Sequence, residues 1–205
     1  AQALAQVGYL VCAIEQRGLS ERTTHQVSDE PPRSCRHLAF EYLMRGRTLI
    51  GERCWDGMCA IHYLQTRPDV VSGTLGCAGH SGGGATALWL AAIDTRITTL
   101  VVSGYFCSFQ DSILAMRHCE CNYAPGILTL AEMGDLAALV APRPFRALNG
   151  EADPIYPAFA ARKQFETVAR AYALHNVSER CSLAIHPGAH VYHHQLAQDW
   201  FSQWL

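Results

Sequence analysis

The sequence predicts an α/β fold, a mostly parallel sheet flanked by helices. Three observations carry that expectation. Short apolar runs of strand length recur along the chain, helical patterns lie between them, and no hairpin signal joins one run to the next. With 205 residues, the chain is long enough for one sizeable core and short for two, so a single domain over residues 1–205 is expected.

The elements follow in order. Residues 1–7 read as helix, with Gly8 in the position of a C-terminal cap. Residues 9–14 (Tyr-Leu-Val-Cys-Ala-Ile) form an apolar run suited to a buried strand. Residues 15–36 are polar and rich in Ser, Thr, Arg and Pro, the composition of an irregular surface excursion. Over residues 37–65 the pattern turns helical: Trp55, Met58, Cys59, Ile61, His62 and Leu64 recur largely at three- and four-residue spacings, and Pro68 ends the run. A turn at 69–72 leads to a second strand at 74–78, a glycine-dense turn at 79–84 and a helix over 85–93. Residues 100–103 make a third strand, and 105–133 are irregular with short helical pieces. A brief helix at 135–140 precedes a fourth strand at 145–149. An amphipathic helix over 157–174, a fifth strand at 182–186 and a terminal helix over 195–205 complete the chain. In that last helix Leu196, Trp200 and Trp204 recur every four residues, as core contacts do.

Composition narrows the function classes. The apolar share is 49%, the charged share 17% and the net charge −2, with Lys and Arg scattered. No basic footprint for nucleic acid or an anionic membrane results. The longest apolar run, residues 87–93, is far short of a bilayer span. Nine cysteines, an odd number without a paired spacing, read as buried free thiols, which favours a reducing, cytoplasmic compartment.

The strongest chemical signal is Gly79-His80-Ser81-Gly82-Gly83, a G-x-S-x-G pattern between a predicted strand and a predicted helix. A direct strand-to-helix turn strains the central residue, and the positions two before and two after it approach too closely for side chains. Such a turn lifts the Ser81 hydroxyl above the carboxyl edge of the sheet. It also sets the Gly82 N–H at a helix N-terminus, where it can stabilise an oxyanion. A serine nucleophile needs a base, and the base needs an acid to hold its tautomer. In the order expected for this turn, Asp153 follows the fourth strand and His190 follows the fifth. Glu151 and Asp111 compete for the acid position, and His186, His193 and His194 compete for the base.

These residues also carry a resemblance. The segment from Gly8 through Ile14 with Gln16-Arg17-Gly18, the Gly79–Gly84 turn, Ala141-Pro142-Arg143-Pro144 with Asn149-Gly150-Glu151-Ala152-Asp153-Pro154, and Pro187-Gly188-Ala189-His190 together resemble the acetyl xylan esterase and dienelactone hydrolase-like branch of the α/β-hydrolases. Residues 103–109 add to the likeness, which runs from Tyr9 to Leu205. The resemblance implies a serine esterase-type hydrolase, with catalytic Ser81, Asp153 and His190, no cofactor and no metal. Its partner would be a small-molecule ester, with no nucleic acid and no membrane; the oligomeric state is left open. Two departures stand out. Glu15 occupies a position where many members have Asp, and the His-Gly loop that supplies a second oxyanion-hole N–H has no counterpart. That loop would lie before Ala1. The expectation is therefore an N-terminally incomplete domain lacking its first three strands, with little or no esterase activity from residues 1–205 alone.

His118-Cys119-Glu120-Cys121 invites a metal, but its spacing fits no standard zinc pattern, and structural thiols are the expected reading. Arg45, Arg47, Glu52 and Arg53 fit a helix face with Arg–carboxylate pairs better than a substrate site. Two rival functions share the same residues: a prolyl-oligopeptidase-like serine peptidase, and a hydrolase fold retained only for binding.

Overall fold

A computed structural model describes residues 1–24 and 34–205. The polar excursion expected over 15–36 lies in part outside the described residues. Where one domain is expected, the chain contacts divide into two compact units, Ala1–Val70 with His118–Pro125, and Val71–Arg117 with Gly126–Leu205.

The first unit holds α1 (Gln2–Gln6), α2 (Cys35–Met44) and α3 (Leu49–Gln65). The single helical stretch expected over 37–65 is thus two helices. Its break falls at Arg45-Gly46-Arg47-Thr48, where the Thr48 hydroxyl accepts from the Gly51 N–H at 3.1 Å and starts α3 afresh. Residues 9–14 are not a strand. No ladder partner adjoins them among the described residues, and apolar character alone does not make a strand without one. Instead, polar contacts fasten the following segment to α3. Arg17 grips Asp56 with Nε (3.1 Å) and Nη2 (2.6 Å), and Glu52 with Nη1 (2.8 Å). Arg47 meets Glu52 at 2.5 Å and Arg22 meets Asp56 at 2.8 Å, so the buried Glu52 carboxylate is paired on both sides. The Arg–carboxylate face expected on this helix is present. Its fourth member, Arg53, turns inward and donates to the Arg17 carbonyl at 2.8 and 3.0 Å. A small apolar cluster of Cys35, Leu38, Leu49 and Cys121 lies within this unit, with Leu19, Ala39 and Tyr42 packed on it.

The second unit is built on four parallel strands, β1 (Gly76–His80), β2 (Thr99–Ser103), β3 (Phe145–Gly150) and β4 (Cys181–His186), in the order β1-β2-β3-β4. The register aligns Cys77 with Leu100, Leu100 with Phe145, and Phe145 with Cys181. Helices α4 (Gly82–Ile93), α5 (Met133–Ala138), α6 (Ala158–Leu174) and α7 (His194–Trp204) flank this sheet. Helix α4 packs on β1 and β2, α6 on β3 and β4, and α7 on β2 and β3. Central β2 is buried along its whole length, as its unbroken Leu-Val-Val run requires of a strand covered on both faces. In α7 the buried residues are Ala197, Trp200 and Phe201; Leu196 and Trp204, expected in the core, are half-buried. At about 100° per residue Leu196 falls outside the arc that holds Trp200, Ala197 and Phe201, whereas Trp204 falls within that arc and is half-exposed as the last residue of the helix.

The Ala-Pro-Arg-Pro segment has a structural task. Arg143 donates to the carbonyls of Ala91 (2.7 Å), Ile97 (2.9 Å) and Asp94 (3.1 Å), covering the carbonyl end of α4 before β3 begins. The Tyr172 hydroxyl of α6 donates to the Arg143 carbonyl. Arg143→Met, which keeps the stem and removes the donors, is expected to cost about 2–3 kcal/mol. A chemical-denaturation midpoint unchanged from the parent would remove this role.

Candidate active site

The strand-to-helix turn at Ser81, an elbow in the chain, begins with β1, whose last residue is His80, and ends with α4, whose first is Gly82. Ser81 between them has φ +54° and ψ −121°, a conformation that side chains rarely adopt. Its N–H donates to the Ser103 carbonyl at 2.8 Å, and its carbonyl accepts from Ala85 at 2.9 Å. One hydrogen bond therefore belongs to the sheet and the next to the helix, and Ser81 must make the whole change of direction. The reversal brings Gly79 onto the start of α4. A Cβ there would lie 2.0 Å from the Gly83 carbonyl oxygen and 2.2 Å from its carbon. Backbone cannot give way by an ångström without undoing the turn. Gly79→Ala is therefore expected to destabilise the protein by about 3 kcal/mol or more, seen as a lowered melting temperature.

Asp153 and His190 come from loops after β3 and β4. The Asp153 side chain is fully buried, and its Oδ1 accepts from the amides of Ile155 (2.8 Å) and Tyr156 (3.2 Å). That arrangement leaves Oδ2 for His190 Nδ1, 2.8 Å away. The imidazole is thus held by a carboxylate that is itself held by two backbone donors. The other candidates lie elsewhere. Glu151 is exposed and pairs with Arg162 at 2.8 Å. Asp111 accepts from the Ser108 hydroxyl at 2.6 Å, in a local turn. His186 is buried at the end of β4, with its ring 5.4 Å from that of His193. His193 caps α7 by accepting from the Leu196 N–H, and His194 begins that helix.

Sequence reasoning missed the rings around His190. Tyr156 stacks on it at 5.6 Å with an interplanar angle of 24°, and His80 lies 4.7 Å away at 35°. The His190 imidazole is thereby flanked by two rings. Gly104, at φ +55°, makes space for both histidines: a Cβ there would come within 2.9 Å of His80 Cε1 and 3.0 Å of His190 Cε1. Two signals were available: the Asp-Pro turn that aims the Tyr156 amide back at Asp153, and the adjacency of His80 to Ser81.

Burial, together with the neighbouring His190, holds His80 below its ordinary value near 6.5, although Asp153 and the Ser103 backbone pull the other way. His80 Nδ1 lies 3.1 Å from the Ser103 hydroxyl, a contact the neutral ring can make as donor or acceptor. A histidine whose folded value is depressed stabilises the fold above its unfolded value near 6.5 and loses that contribution as pH falls toward the folded value. Stability is therefore expected to decline on acidification through that window, and His80→Gln to flatten the decline. An NMR titration of the His80 ring with a midpoint at or above 6.5 would contradict this.

The arrangement can be set beside known proteins. The chain is 30% identical over 176 residues to "Putative hydrolase YtaP" of Bacillus subtilis (strain 168), a match covering 83% of this chain and 55% of that protein. Among solved structures, a "putative acetyl xylan esterase" from Bacteroides fragilis NCTC 9343 superposes with a TM-score of 0.76 at 16% identity, over 90% of this chain and 48% of the other. The chain has the α/β-hydrolase fold. A CE15 glucuronoyl esterase from Caldicellulosiruptor kristjansonii shares the α/β-hydrolase fold at a TM-score of 0.63 and 17% identity, over 75% of this chain and 49% of that one. The chain thus spans about half the length of these relatives. No family model matches it. Ser81, Asp153 and His190 all lie just past the carboxyl ends of strands, β1, β3 and β4 respectively.

Proposed function

We propose that this chain carries the nucleophile, base and acid of a serine carboxylic ester hydrolase. The observation that supports this reading best is the pairing of a positive-φ serine at a strand–helix turn with a buried, doubly held carboxylate 2.8 Å from an imidazole on the next strand-end loop. In the reaction, Ser81 Oγ attacks the ester carbonyl while His190 Nε2 takes its proton, and His190 Nδ1–H donates to Asp153 throughout. The Gly82 N–H, at the positive end of α4, stabilises the oxyanion. His190 then protonates the departing alcohol, leaving an acyl group on Ser81. Water, deprotonated by His190, attacks that acyl group and releases the carboxylic acid, and the proton returns to Ser81.

The proposed substrates are small acyl esters, acetyl esters among them, with carbohydrate as one class of alcohol. The esterase neighbours support the ester class, and the chemistry calls for no cofactor. The test is labelling of the protein by a fluorophosphonate, with the adduct mapped by mass spectrometry, alongside p-nitrophenyl acetate, acetylated xylo-oligosaccharides and Pro-containing peptides. The expected outcome is an adduct on Ser81, with the acetyl esters, and not the peptides, as the substrates of whatever turnover the chain sustains. Cleavage of the peptides alone would favour the peptidase reading, and a folded protein that takes no label would favour a binding role.

A further inference from the structure

Beyond the ester site, the structure carries a second reactive cluster in the unit formed by Ala1–Val70 and His118–Pro125. Cys119 and Cys121 flank Glu120 at a single helical turn, Glu120–Asn122, and their sulfurs are 3.1 Å apart. Cys121 is buried in the small apolar cluster, whereas Cys119 is exposed. Cys35 lies beside them, its thiol interacting with that of Cys119. The Arg53 guanidinium reaches Cys35 Sγ at 3.2 Å, and its charge also acts on Cys121. Among the described residues no group of three His, Cys, Asp or Glu side chains is arranged to hold a metal ion. A fixed guanidinium beside the sulfurs favours an anion there, not a second cation.

We propose that Cys119 and Cys121 are a peroxide-sensitive dithiol, a modification site that closes to a disulfide on oxidation. The two thiols divide the work. The Cys119 thiol and Arg53 hold Cys121 below its ordinary value against the opposing effect of burial, and with the Arg53 guanidinium beside the sulfur cluster Cys121 is the attacking sulfur of the proposal. Cys119, pushed up to about 11 chiefly by its hydrogen bond with Cys121, is the exposed sulfur of the pair and the one that resolves. In the first step the Cys121 sulfur attacks one oxygen of a hydroperoxide; the S–O bond forms, the O–O bond breaks, and the other oxygen leaves as water or alcohol after taking up a proton. In the second, Cys119 Sγ attacks the Cys121 sulfenic sulfur. The S–S bond forms, hydroxide departs and takes the Cys119 proton as water. Two thiols have lost two electrons, and the hydroperoxide has gained them. Closing from 3.1 Å to a bonded distance needs a shift of only about 1 Å.

The test is to expose the reduced, folded chain to equimolar hydrogen peroxide, alkylate the remaining thiols and map them by mass spectrometry. The expected result is loss of two of the nine thiols, a peptide containing Cys119 and Cys121 lighter by two hydrogens, and full recovery with dithiothreitol. Cys35→Ser is expected to leave that disulfide intact. Arg53→Met is expected to slow its formation about tenfold while alkylation of exposed Cys12 and Cys59 is unchanged. Oxidation of Cys12 or Cys59 ahead of this pair, or a disulfide joining Cys35 to Cys119, would overturn the assignment. Because ester hydrolysis is not read at any step, this result is independent of the proposed activity.

Discussion

Ser81→Ala is expected to lower kcat for ester hydrolysis by about 10⁴–10⁶-fold with the fold intact. The elbow explains why the loss is so large and why the fold survives it. The backbone around Ser81 is set by the Ser103 carbonyl on one side and the Ala85 amide on the other, neither of which uses the hydroxyl. Removing Oγ deletes the proposed nucleophile and leaves both hydrogen bonds. A companion variant separates chemistry from strain. Ser81→Gly also lacks the hydroxyl, but glycine adopts φ +54° and ψ −121° with little penalty. It is expected to be as inactive as Ser81→Ala and more stable than the parent by about 1–2 kcal/mol. Thermal melts of the three proteins beside their turnover of p-nitrophenyl acetate make the comparison. Retention of more than a tenth of the parent kcat by either variant would exclude Ser81 as the nucleophile.

Asp153→Asn is expected to reduce kcat by about 10⁴-fold with a much smaller effect on KM. Asparagine is nearly the same shape, and its carbonyl oxygen can still accept from Ile155 and Tyr156, so the β3 loop keeps its form. The amide nitrogen then faces His190 Nδ1 as a donor. His190 must turn Nδ1 into an acceptor and carry its proton on Nε2, which can no longer take one from Ser81. The imidazolium formed during attack also loses its buried counter-charge. Fluorophosphonate labelling of Asp153→Asn should slow in step with kcat. If instead the variant stays within tenfold of the parent, His190 is oriented by its flanking rings, Tyr156 and His80, and Asp153 has only a structural place.

Much of the second unit was legible because its signals are local. Leu100-Val101-Val102 is strand-forming and apolar on both faces, and Gly79 through Gly83 permits few backbone paths. The helix over 158–174 carries its apolar face at helical spacing and differs by one residue from the expected range. Choosing Asp153 over Glu151 was harder from sequence, since both follow the same strand. The structure separates them by burial: Glu151 faces solvent and Arg162, and Asp153 is enclosed by the turn its own carboxylate organises.

The first unit was less legible because its organisation depends on partners distant in sequence. Residues 9–14 have the composition of a strand, but a strand is a relation between neighbours, and composition does not report whether a neighbour is there. Arg17 is bonded to residues 35 and 39 positions away, and Cys119 and Cys121 reach a cluster that includes Cys35. No periodicity encodes such contacts.

The sequence by itself determined the α/β architecture of the second unit and the strained serine between β1 and α4. Both follow from side-chain patterns and steric limits within a few residues. Tertiary structure alone decided that Asp153 and His190 would meet, that Tyr156 and His80 would flank the imidazole, and that three cysteines would gather beside Arg53. Those outcomes depend on how separate strands register in a sheet and how loops fold back on it. Distance in space, not spacing along the chain, sets the hydrogen bonds and charge interactions that such groups make.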